Sequence, residues 1–260
     1  MSAPEVTIIL PNYKTPELTK LCVRSLRLYT DMSKIQLIAV DNDSQDASVE
    51  YLRTVEFVKL IERKTTGENA PEMHAKALDL ALEQVTTPYV MVIHTDTIVV
   101  RNDWLDFLLK KISADKNIAA VGSWKLEFVP PLKSFFKRIE TAIRRKLGRV
   151  ILDREHYFRS HCALYKTDCI RQTRGFFDND SAGISAFNIL RDLGYELPFI
   201  ESEELSRYIR HLNHATMILN PVADGNKHKT SSPAKRRALE KELRQLMSDR
   251  IMLDDSLDRL

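Results

Sequence analysis

The chain has 260 residues, of which 43% are hydrophobic and 29% charged, so it can bury a substantial core as an ordinary globular protein. Its apolar runs are too short to span a bilayer, and its net charge of +3 does not indicate a nucleic-acid-binding protein. The three cysteines lack C-x-x-C spacing, which argues against a disulfide framework or structural zinc site and for a reducing compartment. Because no secretory signal is visible either, we expect a cytoplasmic protein.

Strands and helices alternate over the first hundred residues. Hydrophobic patterning predicts strands at 6–10, 35–40, 58–61 and 89–93, and helices at 15–29, 48–55 and 72–84. This alternation is typical of an α/β protein with a doubly wound, mostly parallel sheet flanked by helices.

Polar clusters follow three of these strands, at 11–13, 41–44 and 94–96. In doubly wound sheets, ligands bind beyond the carboxyl ends of the strands, so the three clusters predict a ligand site at one sheet edge. Polar residues are also common wherever a strand ends in a loop, and this second interpretation stays open.

A basic segment follows a predicted helix at 103–112 and a strand at 118–121. Residues 131–151 contain seven lysines and arginines and a single acidic residue, with apolar residues at helical spacing. An amphipathic helix of this kind suits an anionic membrane surface, here the inner face of the membrane. The helix could equally pack its apolar face on the core. Nucleic-acid binding is less favoured, because no motif typical of nucleic-acid-binding domains accompanies the segment.

The last third of the chain predicts a strand and loop at 157–166, a helix at 185–193 and a charged helix at 234–247. The final helix could dock on the domain or form a contact between copies in a homo-oligomer. We therefore predict one domain over 1–220, with a nucleotide-binding half to about 125 and an acceptor half from about 126. A C-terminal linker and helix occupy 221–260.

Several segments together resemble the family 2 glycosyltransferases of the GT-A fold. Residues 6–13 resemble the family's first strand and loop, and 37–44 its second strand and acidic turn. Asn69, Ala75 and Lys76 match part of the motif that precedes the fourth strand, and His94-Thr95-Asp96 occupies the Asp-x-Asp position. Residues 175–178, 194–195 and 210–216 resemble the acceptor side and the late histidine segment.

The resemblance implies a nucleotide-sugar donor, which would be bound by eight residues: Pro11, Asn12, Tyr13, Asp41, Asn69, Lys76, His94 and Thr95. Asp41 would contact the base, and Tyr13 would line its pocket. Asp96 would hold a divalent cation, Mn²⁺ or Mg²⁺, because the cation neutralises charge on the leaving diphosphate. His211, with His214 as the second candidate, would complete the ligands of that cation. His94 replaces the usual first carboxylate, which removes one negative charge; imidazole suits Mn²⁺ better than Mg²⁺.

The general base departs from the family pattern. Inverting members carry a Glu-Asp pair at the start of the acceptor-side helix, where this chain has Ala182 and Gly183. Asp180 is the nearest replacement and Asp178 the second, because a base must be a carboxylate within about 3 Å of the acceptor proton.

The expected function is transfer of a sugar to a hydroxyl of a glycan or lipid-linked glycan, with inversion implied by the resemblance. The alternative is a nucleotide-binding or scaffolding module of the same fold that has lost catalysis. No G-x-G-x-x-G or Gly-rich phosphate loop follows the first strand, which argues against a dinucleotide oxidoreductase or nucleotidyltransferase.

Overall fold

A computed structural model describes residues 3–124, 156–173, 175–176, 183–212, 215, 233–247 and 249–260. Its strands are β1 (Val6–Asn12), β2 (Ile35–Asn42), β3 (Val58–Arg63), β4 (Tyr89–Ile93), β5 (Thr97–Val99), β6 (Ala120–Gly122), β7 (Cys162–Lys166) and β8 (Ile209–His211). Its α-helices are α1 (Pro16–Tyr29), α2 (Ala47–Thr54), α3 (Ala70–Leu82), α4 (Trp104–Ile112), α5 (Thr167–Ile170), α6 (Ile184–Asp192), α7 (Ser202–Leu205), α8 (Pro233–Met247) and α9 (Arg250–Leu253). Short 3₁₀ helices lie at Met32–Lys34, Arg171–Thr173 and Asp255–Asp258.

Six strands form one sheet in the order β3-β2-β1-β4-β7-β6. The first four of these run parallel, and β7 is antiparallel to both of its neighbours. The predicted α/β architecture with a mostly parallel sheet is therefore confirmed, with one reversed strand.

The core lies on both faces of the sheet. Successive side chains of β1 point to opposite faces, so Ile8 and Leu10 pack with α1 while Ile9 packs with α3. All three are fully buried. Because β1, β2 and β4 are covered on both faces, they consist mostly of buried apolar residues, which is why these strands could be predicted from the sequence. The edge strand β3 is only partly buried and carries three charged residues.

The carboxyl ends of β1 and β2 lead into strained loops. Lys14, Asp43 and Gln45 all have positive φ angles, between 51° and 60°. A non-glycine residue in this region costs about 1 kcal/mol or more, so the surrounding contacts must hold these loops in place. The strain is concentrated at the edge where the sequence predicts a ligand.

The C-terminal region packs on the α1 face of the domain. Leu243 of α8 and Met252 of α9 are buried in the same core cluster as α1. Of the two roles predicted for the final helix, docking on the domain is the one this structure displays. The basic segment 131–151, Asp178 and Asp180 lie outside the described residues. None of the described helices combines the length and the apolar character needed to cross a bilayer.

Candidate active site

The segment 94–96 turns sharply at the end of β4. Thr95 and Asp96 are buried, whereas about a third of the His94 side chain (35%) is exposed. Thr95 Oγ1 lies 3.2 Å from Thr15 Oγ1, which connects this turn to the loop after β1. Of the three side chains, His94 is the one that faces solvent.

A two-stranded ribbon brings the late histidine to the same turn. β5 pairs antiparallel with β8, with Thr97 opposite His211, and the Leu212 amide donates to the Asp96 carbonyl at 2.8 Å. Asp96 Oδ1 consequently lies 3.2 Å from His211 Nε2 and 3.8 Å from His94 Nδ1. Each of the three residues offers one ligand atom, and all of these atoms lie within 4.8 Å of one another.

These three residues fit a divalent cation. Asp96 Oδ1 is buried and faces both rings without a well-directed hydrogen bond. Buried charges in proteins are normally paired or coordinate a metal, so this oxygen is suited to a cation. One carboxylate and two imidazoles form a mixed oxygen and nitrogen donor set that suits a first-row transition-metal ion better than Mg²⁺.

The pKa shifts leave these groups in the protonation states that bind metals. Although about a third of the His94 side chain is exposed, desolvation of its buried part lowers its pKa well below the ordinary value, and repulsion from His74 adds to this effect. Burial alone would raise the pKa of Asp96, but interaction with His211 and His94 outweighs it and lowers the pKa. At neutral pH the site therefore holds a carboxylate and a neutral His94 ring.

Further histidines and serines surround the three residues. Ser160 Oγ lies 2.7 Å from His94 Nε2 and 3.0 Å from His74 Nε2. His161 stacks on His211 with ring centroids 4.7 Å apart, and its Nε2 lies 2.8 Å from Ser123 Oγ. These surrounding residues could not be predicted from the sequence, because they lie on α3, after β6 and before β7, and no motif links them.

Asn12 and Asp41 meet in a buried polar network between β1 and β2. Asn12 Nδ2 donates to Asp41 Oδ1 at 2.6 Å and to Ser48 Oγ at 2.8 Å, while Thr19 Oγ1 donates to Asn12 Oδ1 at 2.6 Å. Ser44 donates to both Asp41 oxygens, from its hydroxyl and its amide. The two predicted donor-binding residues are thus held rigidly by their own neighbours.

Other residues predicted to bind the donor are not members of this network. Pro11 and Tyr13 are partly exposed at the end of β1. Asn69 is exposed and caps α3, accepting from the Glu72 amide while Glu72 accepts from the Asn69 amide. Lys76 Nζ lies 3.0 Å from Glu68, which also pairs with Arg63.

A cavity of about 90 Å³ opens beyond the carboxyl ends of β2 and β3. Its lining is mostly charged and includes Asp41, Asp43, Gln45, Val49, Arg53, Glu62, Arg63 and Lys64. Asp41 therefore connects the buried network to a small polar cavity. Gly183, which the sequence resemblance predicts at the position of the family's general base, immediately precedes α6 with φ 95°.

Solved structures share this fold. A mannosyltransferase from Pyrobaculum calidifontis in complex with GDP-Man and Mn²⁺ is 20% identical, with a TM-score of 0.57, covering 95% of this chain and 71% of that one. TarS residues 1–349 from S. aureus are 16% identical, with a TM-score of 0.53 and coverage of 94% and 71%. These similarities show a GT-A fold.

A search of curated proteins gave no match. The family model described as glycosyl transferase family 2 matches residues 7–174, which include β1 from its second residue, β2 to β7, the turn at 94–96, Ser123 and Ser160. Since this match spans well over half of the sequence, the chain belongs to glycosyltransferase family 2.

Proposed function

We propose that the protein transfers a sugar from a nucleoside-diphosphate sugar to an acceptor hydroxyl, with a divalent cation held by Asp96, His211 and His94. The observation that carries the proposal is the convergence of one carboxylate and two imidazoles at the carboxyl end of β4. When bound there, a cation would stabilise negative charge developing on the leaving diphosphate.

The donor is proposed to lie along the carboxyl edge of β1, β2 and β4. Pro11, Asn12, Tyr13 and Asp41 would shape the end that holds the base, because the cavity beyond β2 borders Asp41. Lys76, Asn69 and Thr95 would lie toward the diphosphate. The Pyrobaculum mannosyltransferase is in complex with both GDP-Man and Mn²⁺, which supports the proposal that this chain binds a nucleotide sugar together with a cation.

The acceptor is proposed to be a glycan or a lipid-linked glycan, with inversion at the anomeric carbon. Asp180, or else Asp178, would take the proton from the acceptor hydroxyl, because Ala182 and Gly183 carry no base. The basic segment 131–151 would attach the protein to an anionic membrane surface on the cytoplasmic side. Contact between copies through α8 stays a prediction.

The first experiment measures turnover of a panel of nucleotide sugars with Mn²⁺ or Mg²⁺ present. Asp96→Asn should lower kcat by at least about 100-fold, because it removes the carboxylate that would hold the cation, and electrostatic stabilisation of a transition state of this kind is typically worth about 3 kcal/mol. Asp192→Asn, on an exposed aspartate of α6, is the matched control and should leave kcat unchanged. Wild-type turnover in Asp96→Asn would rule out the metal assignment.

A non-catalytic module remains the second candidate. The absence of a Glu-Asp pair at 182–183 and the pairing of Lys76 with Glu68 favour it. Calorimetry with nucleotides separates the two functions: binding without turnover of any donor would identify the module.

A further inference from the structure

The hydroxyl of Ser160 lies between two imidazoles. Its Oγ atom is 2.7 Å from His94 Nε2 and 3.0 Å from His74 Nε2, so both contacts have hydrogen-bond length. The rings of His74 and His94 meet edge to face with centroids 5.0 Å apart. One serine therefore fixes the orientation of both rings.

A hydroxyl has one proton, so Ser160 can donate to only one of the two rings and must accept from the other. If Ser160 donates to His74, then His94 must carry its proton on Nε2, which leaves a lone pair on His94 Nδ1. If Ser160 donates to His94 instead, the Nδ1 atom carries the proton. The hydrogen-bond chain thus has two states, and only one of them presents a free nitrogen at Nδ1.

The surroundings of Nδ1 favour the first state when a cation is bound. His94 Nδ1 faces Asp96 Oδ1 at 3.8 Å, which is too long for a hydrogen bond, so a proton on Nδ1 would find no good acceptor there. Two ligands that each lie about 2.1 Å from one ion are separated by about 3 Å at a right angle and by at most about 4.2 Å. The separations of Asp96 Oδ1 from His94 Nδ1 and from His211 Nε2, 3.8 and 3.2 Å, both fall in this range.

We infer that His94 is a metal ligand through Nδ1, and that Ser160 and His74 are positioning residues which set its tautomer. This nitrogen-rich site prefers Co²⁺, Mn²⁺ or Zn²⁺ to Mg²⁺. The inference rests on the cation site of the proposed function. Imidazole nitrogens bind Mn²⁺, Co²⁺ and Zn²⁺ readily, whereas Mg²⁺ prefers oxygen ligands and keeps much of its water. Partners that orient a metal-binding histidine typically contribute 10- to 100-fold to affinity, about 1.4 to 2.7 kcal/mol.

The selectivity test titrates the full chain with Co²⁺ and Mg²⁺ in the absence of nucleotide and acceptor, following Co²⁺ absorption and calorimetric heat. The wild type should bind Co²⁺ at least about 100-fold more tightly than Mg²⁺. His94→Asp replaces a nitrogen with an oxygen ligand and should reduce this ratio by at least about tenfold. An unchanged ratio, or no binding of either ion by the folded wild type, would overturn the inference.

The positioning test uses Ser160→Ala, with Ser206→Ala as the matched control because Ser206 is exposed and bonds only to a local carbonyl. Ser160→Ala should weaken Co²⁺ binding about 10- to 100-fold, and the control should not change it. With Zn²⁺ bound, ¹⁵N NMR of the histidine rings should show a proton on His94 Nε2 in the wild type.

A proton on His94 Nδ1 in the zinc-bound wild type would contradict the inference, as would wild-type Co²⁺ affinity in Ser160→Ala. Circular dichroism establishes that each variant is folded before its affinity is interpreted. Since no step of this test requires turnover, ion binding with the expected selectivity would support the inference even if no sugar donor is used. Turnover by a protein whose His94 does not bind the ion would overturn the inference and leave the proposed sugar transfer standing, with the cation held by Asp96 and His211.

Discussion

At the residue scale, Asp41, a predicted donor contact, is held in one position by hydrogen bonds from its neighbours. The side chain is almost fully buried, and both of its oxygens accept hydrogen bonds from Ser44. Asn12 adds a further bond to Oδ1. A carboxylate held this firmly is pre-organised, so a ligand that reached it would gain from a fixed acceptor without having to order it.

The pH dependence of stability follows from His74. Burial lowers its pKa from 6.5 to about 4, so between these values the unfolded chain binds more protons than the folded protein does. The stabilisation is complete above about pH 6.5 and is lost as the pH falls toward 4. In chelator-treated protein, we expect the free energy of unfolding by urea to be lower at pH 5 than at pH 7.5.

His74→Gln should reduce this pH dependence, because glutamine can still bond to Ser160 but does not titrate. His156→Gln, on an exposed histidine, is the control and should retain the wild-type slope. A His74→Gln protein with the full wild-type slope would mean that other groups cause the acid sensitivity.

At the element scale, Asn69 at the start of α3 has two candidate roles, donor binding and helix capping. The family resemblance assigns Asn69 to donor binding, whereas the structure makes it the N-cap of α3 in a reciprocal capping box with Glu72. Asn69→Ala should cost about 1 kcal/mol of unfolding free energy, since it removes the acceptor for a helix amide. Asn69→Ser retains a capping oxygen and should cost only a few tenths of a kcal/mol.

Nucleotide affinity separates the two roles of Asn69. If the amide contacts the donor, Asn69→Ser should weaken nucleoside-diphosphate binding while the protein remains stable in urea unfolding. Equal affinity in the serine variant and the wild type would restrict Asn69 to capping.

The elements differ in how well they can be predicted from sequence. β1, β2 and β4 are runs of buried, largely β-branched residues, and the polar residues at their ends mark the edge of the sheet. The ribbon of β5 and β8 has three residues in each strand and joins segments more than a hundred residues apart, so periodicity could not reveal it. His211 was found only through the family resemblance, and His74 and Ser160 gave no local signal.

At the scale of the whole molecule, the C-terminal segment is tied to α1 by a buried arginine. The Arg24 side chain is fully inaccessible and donates to Asp255, to Asp258 and to the carbonyls of Ile251 and Met252. Asp258 also accepts from the Tyr51 hydroxyl of α2 at 2.7 Å. The last twelve residues therefore close the α1 face of the domain, on the side of the sheet away from α3.

Removing this arginine should destabilise the whole protein. Arg24→Met keeps most of the side-chain volume but removes the cation paired with Asp258 and the donor to two backbone carbonyls, leaving Asp258 with its bond from Tyr51. We therefore expect a loss of about 3–5 kcal/mol in urea unfolding. Arg207→Met is the control: Arg207 is 64% exposed and pairs only with exposed Glu203, so its loss should cost less than about 1 kcal/mol. Asp255→Asn should also cost little, because Asp255 is 84% exposed.

If the unfolding free energy of Arg24→Met were within about 1 kcal/mol of the wild-type value, the C-terminal segment would contribute little to the stability of the domain. A single cooperative transition at a lower urea concentration would make it part of the folding unit that positions α1 beneath the loop after β1.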